Sequence, residues 1–240
     1  MTLKITRFLL IGFAVLAGCS SSTEPTEPLQ RKSPDELTAF FGENITYSKG
    51  HQAANEPKGT YLEVTIHDDK LAQQYADLGL PASNCAYLSY KDLSAAERQQ
   101  YDYLKITMQD ASAARSYAFP RADLALATQA ATDLDVLMTH FKERNYPAVL
   151  GSFNPRALTP AMRAQSFSYL AAIEQQKGPV QQYYLEGYAP AQVLLAGKKL
   201  PLVHLFVTLS HPQKASRIVV AIDPSLRPEE KFLYGLDIIN

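Results

Sequence analysis

Apolar residues recur at two different spacings along this chain. Between residues 127 and 141 they recur every three or four positions, which is the spacing of an amphipathic helix that buries one face. Thr159 and Pro160, an N-cap and a first-turn proline, predict a second helix that ends at Gly178. From there the pattern changes to short apolar runs separated by polar turns, which predicts four or five antiparallel strands.

The first half of the chain mixes shorter helices with strands. This order predicts an α+β module over 33–120, followed by a second α+β domain over 123–240. The elements predicted in the first module are a helix from Ser33 to Gly42, a hairpin of 44–52 with 60–68, a helix over 69–79, a capping box at Ser94 and Glu97, and strands at 101–110 and 116–120.

The second domain resembles a known class of folds. The resemblance rests on its order of helices followed by strands and on the segment FKERNYPAVLGSFNP, residues 141–155. In the NTF2-like/cystatin-like class, helices pack on the concave face of a curved antiparallel sheet. The resemblance implies this arrangement for residues 123–240, so the predicted fold is α+β with helices packed on curved antiparallel sheets.

The N-terminus has the three segments of a secretory signal. Lys4 and Arg7 carry positive charge, an apolar run follows over 8–16, and small residues precede Cys19. This Leu-Ala-Gly-Cys sequence resembles the lipobox of bacterial lipoproteins. The resemblance implies that the signal peptide, residues 1–18, is removed and that Cys19 carries the lipid. The alternative is an ordinary secreted protein in which a cysteine follows the cleavage site.

The residues after the lipobox predict how the protein is held. The stretch 19–32 is rich in Ser, Thr, Glu and Pro, so it buries little apolar surface and should be a flexible tether. Two or more acyl chains on Cys19 would hold the protein stably at a membrane. Ser20 stands where an aspartate would resemble an inner-membrane retention signal. An outer-membrane location in the bacterial cell envelope is therefore favoured, on either its periplasmic or its surface side.

Composition narrows the possible partners. The chain has 23 Lys and Arg residues against 24 Asp and Glu, and removal of 1–18 would take away two basic residues and leave a net charge of −3. A nearly neutral chain offers no basic surface for nucleic acid. The remaining partners are the membrane, through the lipid anchor, and a small ligand or a protein. With Cys19 lipidated, Cys85 has no disulfide partner, and its apolar neighbours indicate a buried structural thiol.

Candidate chemistry is sparse. His204 interrupts an apolar strand whose alternate residues face opposite sides of the sheet. If that sheet curves around a pocket, His204, Tyr184 and Glu186 would line it, whereas the alternative puts His204 on an exposed outer face. The sequence contains no catalytic motif, cofactor motif or metal-ligand spacing. In the HDD sequence at 67–69, an aspartate is expected to cap a turn.

These observations favour a non-enzymatic, lipid-anchored binding or interaction module of the bacterial envelope. One alternative is a hydrolase or isomerase with a polar pocket in the C-terminal sheet and His204 as acid or base. The other is an envelope assembly factor that binds a protein partner through an exposed sheet edge. A cavity that brings His204 close to a carboxylate or a tyrosine would favour the enzyme.

Overall fold

The protein is built from two β-sheets with helices packed against them. The computed structural model describes residues 26–54, 56–195 and 197–239. The predicted α+β fold class is confirmed. The strands are β1 (Glu27–Leu29), β2 (Ile45–Gln52), β3 (Gly59–His67), β4 (Tyr103–Gln109), β5 (Ala114–Pro120), β6 (Gln182–Leu195), β7 (Lys198–Ser210), β8 (Ser216–Ile222) and β9 (Leu233–Ile239). The helices are α1 (Asp35–Phe41), α2 (Leu71–Gln74), α3 (Gly79–Asp92), α4 (Ala95–Gln100), α5 (Arg121–Lys142), α6 (Tyr146–Gly151) and α7 (Pro160–Lys177).

The first sheet contains β1 to β5 in chain order. β2 and β3 form the predicted antiparallel hairpin, in which Ile45 lies opposite Ile66 and Gln52 opposite Gly59. β3 and β4 run parallel, and α2, α3 and α4 form the crossover connection that a parallel pair needs. β5 returns antiparallel to β4 and forms one end of the sheet, while β1 forms the other end.

The second sheet is an antiparallel meander of β6 to β9. The sequence predicts two separate strands before β7, whereas the structure has one strand of 14 residues, β6. The register shifts between Leu185 and Gly187, so Glu186 is the extra residue of a β-bulge, and the strand continues through Gly187 and Pro190. One face of β7 is buried, as its alternation predicts. The buried residues of this face are Val203, Leu205, Val207 and Leu209.

The connection between β3 and β4 departs most from the predicted helices. The pattern over 69–79 predicts one helix that ends at Gly79, but α2 stops at Gln74 and Gly79 begins the 14-residue α3. Residues 81–86 of α3 are all buried, so the helix has no polar face there and shows no helical periodicity. Pro81 lies in the first turn, where a backbone N–H has no partner within the helix.

One hydrophobic core joins the two sheets. α3 contacts β4 and β6, and α5 contacts β5, β6, β7 and β8, so both helices bridge the sheets. The face of α5 that its periodicity predicts to be apolar is buried, including Leu134, Leu137 and Phe141. The core therefore continues across the boundary that the sequence predicts at 120–123.

The second half of the chain has helices first and strands afterwards, as predicted. α7 lies between its Thr159 cap and Gly178, and the Thr159 hydroxyl accepts a hydrogen bond from the backbone N–H of Met162. α6 is a short helix capped by Asn145 in a segment that the sequence predicts as irregular. The assignment of 123–240 to the NTF2-like/cystatin-like class stays a prediction.

Part of the segment predicted as a flexible tether, 19–32, has regular structure. Glu27–Leu29 form β1, which pairs with β2. The Arg31 guanidinium bonds the carboxylates of Asp92 at 2.6 Å and Glu97 at 2.7 Å. These contacts tie this part of the chain to the end of α3 and the start of α4.

The predicted signal peptide, residues 1–18, and the predicted lipidation site, Cys19, lie outside the described residues. Within the described ranges, no helix combines the length and the apolar character that crossing a membrane requires.

Candidate functional site

A cleft of about 1060 Å³ lies where the two sheets meet, and we refer to it as the aromatic cleft. Its walls come from α1, the segment that leads into α3, the end strand β5, and strands β6, β7 and β8 of the second sheet. This volume is at the upper end of the range for sites that enclose a small ligand. Eight aromatic side chains line it: Phe40, Phe41, Tyr75, Tyr117, Phe119, Tyr184, Tyr188 and Phe206.

α3 and β6 touch each other at the aromatic cleft. The backbone N–H of Tyr188 donates to Ser83 Oγ at 2.8 Å, and the same hydroxyl donates to the carbonyl oxygen of Leu80 at 2.7 Å. Gly187 permits this approach, because a β-carbon there would lie 2.4 Å from the Leu80 oxygen. The bulge at Glu186 thus lies next to the point where the strand meets the helix.

The charged part of the aromatic cleft contains an ion pair. Arg217 Nε donates to the Glu186 carboxylate at 2.9 Å, a second guanidinium nitrogen also bonds it, and the Thr208 hydroxyl donates to the same carboxylate. The hydrogen bond to Glu186 raises the pKa of Arg217. Burial, reinforced by the Glu186 carboxylate, raises the pKa of Tyr75, so this phenol keeps its proton at neutral pH. Because the charges of Arg217 and Glu186 cancel, their ion pair adds no net charge to the cleft.

Two buried polar atoms in the wall of the aromatic cleft have no hydrogen-bond partner among the described residues. They are Oδ1 of Asn84, whose side chain lies on α3, and the hydroxyl of Tyr188 on β6. The two residues are only 1% and 4% exposed. Burial raises the pKa of Tyr188, so its hydroxyl stays protonated and can donate. A buried polar atom without a partner costs about 1–3 kcal/mol.

The structure brings together two of the three predicted pocket residues. Tyr184 and Glu186 line the aromatic cleft, whereas His204 does not. His204 lies further along β7, directly between Ala189 on β6 and Ala221 on β8. Its side chain is half-buried and lies on the same face of β7 as Phe206 and Thr208, which line the cleft. The site residues that the sequence analysis missed are Asn84, Tyr188 and the aromatic side chains from the first half of the chain.

The remaining candidates have structural roles in the described part of the chain. Cys85 is fully buried on α3, and burial raises the pKa of its thiol to about 12, which prevents formation of the reactive thiolate at neutral pH. Asp68 Oδ1 accepts a hydrogen bond from the backbone N–H of Lys70 at 2.8 Å, which is the predicted turn-capping role. No group of three or more His, Cys, Asp or Glu side chains in the described ranges could hold a metal ion.

The chain was compared with known proteins at three levels. Neither the models of known protein families, nor the curated proteins, nor the solved structures gave a match.

Proposed function

We propose that the protein is a non-enzymatic, lipid-anchored binding module of the bacterial envelope, at the outer membrane, and that its ligand occupies the aromatic cleft. One observation carries the binding proposal: the wall of the cleft combines eight aromatic side chains with two buried polar atoms that have no partner among the described residues. Aromatic rings supply apolar contact area, while a few fixed polar groups orient a ligand.

The charge distribution supports an uncharged or weakly cationic ligand. Arg217 is already paired with Glu186, so the cleft offers no free cation to a phosphate or a carboxylate. The Asp77 carboxylate also lines the cleft and accepts a hydrogen bond from the backbone N–H of Gly79 at 2.8 Å. With one unpaired carboxylate, the lining carries a formal charge of −1, which disfavours anions.

The binding proposal is tested with Nile red, an uncharged apolar dye, and two matched variants. Tyr184 and Leu194 are both exposed apolar residues of β6, but only Tyr184 lines the cleft. Tyr184→Lys should weaken dye binding by about fivefold, because a ring contact is worth about 1 kcal/mol. Leu194→Lys should leave dye binding within about twofold. Equal effects of the two variants, or no saturable binding to the unmodified protein, would contradict the proposal.

The anchoring proposal is tested separately, by fractionation and by labelling with a radioactive fatty acid. Cys19→Ala should move the protein from the membrane fraction to the soluble fraction and abolish labelling. Cys85→Ala is the matched control, and it should remain labelled and membrane-bound because Cys85 is buried in the folded part. Membrane association of the Cys19→Ala protein at the level of the unmodified protein would refute the lipid anchor.

A further inference from the structure

The end strands of the two sheets are not equally protected against pairing with another chain. β1 has only three residues and contains Pro28, and β6 carries the bulge at Glu186 and lacks a backbone N–H at Pro190. β9 has an irregular register with β8 and exposes Asp237. Short strands, prolines, bulges and charges are the features that prevent edge pairing.

β5 has neither a bulge nor an internal proline. All seven of its residues, Ala114–Pro120, pair with β4 in an uninterrupted register, and its proline is the last residue. Arg115 is the one charged residue of the strand. Its other edge has no strand beside it in the described chain, since β5 is the last strand of its sheet. A regular edge of this kind is a template for strand addition.

The open edge of β5 faces the aromatic cleft. Tyr117, Ala118 and Phe119 are consecutive, and all three line the cleft. Because consecutive side chains of a strand point to opposite faces of the sheet, Tyr117 and Phe119 belong to one face and Ala118 to the other. The cleft touches residues of both faces, so it reaches the edge of β5 at Ala118.

A second cavity continues along the same edge. It has a volume of about 190 Å³ and is lined by Ala113 and Arg115 on the β5 side. Tyr75 and Ala76 line both cavities and form their shared opposite wall. The two cavities therefore lie one after the other beside β5, at residues 113 and 115 and at residues 117–119. We refer to these two neighbouring cavities together as the β5 channel.

We propose that the β5 channel binds an extended polypeptide segment as an added strand, with apolar side chains at alternate positions and a neutral or basic net charge. This rests on the proposed function, because the aromatic cleft is one part of the channel. Hydrogen bonds from the β5 backbone would provide affinity, and the aromatic walls would select the side chains.

Charges and polar atoms along the β5 channel fit such a segment. Its carboxylates belong to Asp77, Asp110 and Glu186 and its cations to Arg115 and Arg217, so the channel has a formal charge of −1. An acidic segment would be repelled. Asn84, whose buried Oδ1 has no hydrogen-bond partner among the described residues, is one of the residues that line the channel.

The test uses the full chain with Cys19→Ala and a pool of acetylated, amidated heptapeptides. Positions 2, 4 and 6 carry Val, Ile, Phe or Tyr, and the other positions carry Thr, Ser or Lys. Peptides that bind are resynthesised with N-methyl groups on the even residues, on the odd residues, or on both. Strand addition needs the N–H groups of one peptide edge, so the doubly methylated form should bind at least about tenfold more weakly. At least one singly methylated form should bind like its parent.

The matched protein variants are Ala118→Lys on the exposed edge of β5 and Leu194→Lys on β6, outside the channel. A lysine on an edge strand blocks pairing, so Ala118→Lys should weaken peptide binding about tenfold while Leu194→Lys changes nothing. Circular dichroism verifies that both variants fold. If Ala118→Lys does not fold, Ala118→Glu replaces it, and a neutral peptide should show the same loss.

Several outcomes would overturn strand addition. They are absence of peptide binding at about 1 mM, equal affinity of the doubly methylated and parent peptides, and a dimer of the protein that Ala118→Lys dissociates. Binding of a β-1,4-linked N-acetylglucosamine tetramer in place of the peptides would also overturn it. If peptides fail but Nile red binds and responds to Tyr184→Lys, the proposed function stands without strand addition. If both probes fail, both proposals fall.

Discussion

Ser83 and Tyr188 join the two halves of the fold, because the Ser83 hydroxyl on α3 accepts a hydrogen bond from the backbone N–H of Tyr188 on β6 at 2.8 Å. The two residues are 105 positions apart in the chain. The hydroxyl also donates to the carbonyl oxygen of Leu80, so it makes one hydrogen bond as a donor and one as an acceptor. This contact joins the start of α3 to the bulged strand, and both elements line the aromatic cleft.

We expect Gly187→Ala to destabilise the protein through this contact. The new β-carbon would lie 2.4 Å from the Leu80 oxygen and 2.5 Å from Ser83 Oγ, so α3 and β6 would have to move apart. Overpacking of this kind costs about 1–3 kcal/mol in the free energy of unfolding, measurable by urea denaturation. Gly151→Ala is the matched control. Nothing lies within 4 Å of its added β-carbon, so alanine at the end of α6 should be neutral or slightly stabilising.

Because of Asp133, the free energy of unfolding should fall as the pH rises. Its side chain is fully buried on α5, Oδ2 has no partner among the described residues, and Oδ1 accepts from Gln129 at 3.4 Å. Burial raises the pKa of Asp133 from 3.8 to about 6, against a smaller opposing effect of Gln129. Between these two values the unfolded chain loses the proton while the folded protein keeps it, so rising pH favours unfolding.

The variant Asp133→Asn removes this titration. At pH 8 it should be more stable than the unmodified protein by on the order of 1–3 kcal/mol, with little difference at pH 4, as measured by urea denaturation. Glu143→Gln, at the exposed end of the same helix, is the control and should not change the pH dependence. An unaltered pH dependence in Asp133→Asn would show that Asp133 does not contribute to it.

Cys85 should react with thiol reagents only when the protein unfolds. In the Cys19→Ala chain it is the one remaining cysteine, and burial raises its thiol pKa to about 12. Labelling with 5,5′-dithiobis(2-nitrobenzoic acid) at pH 8 should be at least about 10³-fold slower than in urea, because the open state is rare. Labelling of the folded protein at the rate of free cysteine would contradict the burial of this residue.

The sequence predicted the elements whose signals are local. α5 has one apolar face and one polar face, so its periodicity is visible in the sequence. The predicted capping box at Ser94 and Glu97 is present. It could be predicted because it depends only on residues three positions apart. The hairpin of β2 and β3 follows from β-branched and aromatic runs around a turn.

α3 could not be predicted in the same way, because burial from several directions removes the polar face that produces a periodic pattern. The aromatic cleft could not be predicted either, because its lining residues are far apart in the sequence. Tyr184 and Glu186 were predicted as pocket residues from their place in one strand, but Phe41, Asn84 and Tyr117 come from the other half of the chain. Their proximity depends on how α3 and β5 pack against β6, which no local spacing encodes.

The order of the first sheet has a consequence for how the protein would work at a surface. β1, the first strand of the described chain, and β5 are its opposite ends, about 19 Å apart at the usual strand spacing. A pull from the anchor that we propose at Cys19 would act on the end away from the β5 channel. The protein could thus stay fixed to the bilayer while its binding edge points outward to capture a partner, so attachment and capture would not compete for the same face.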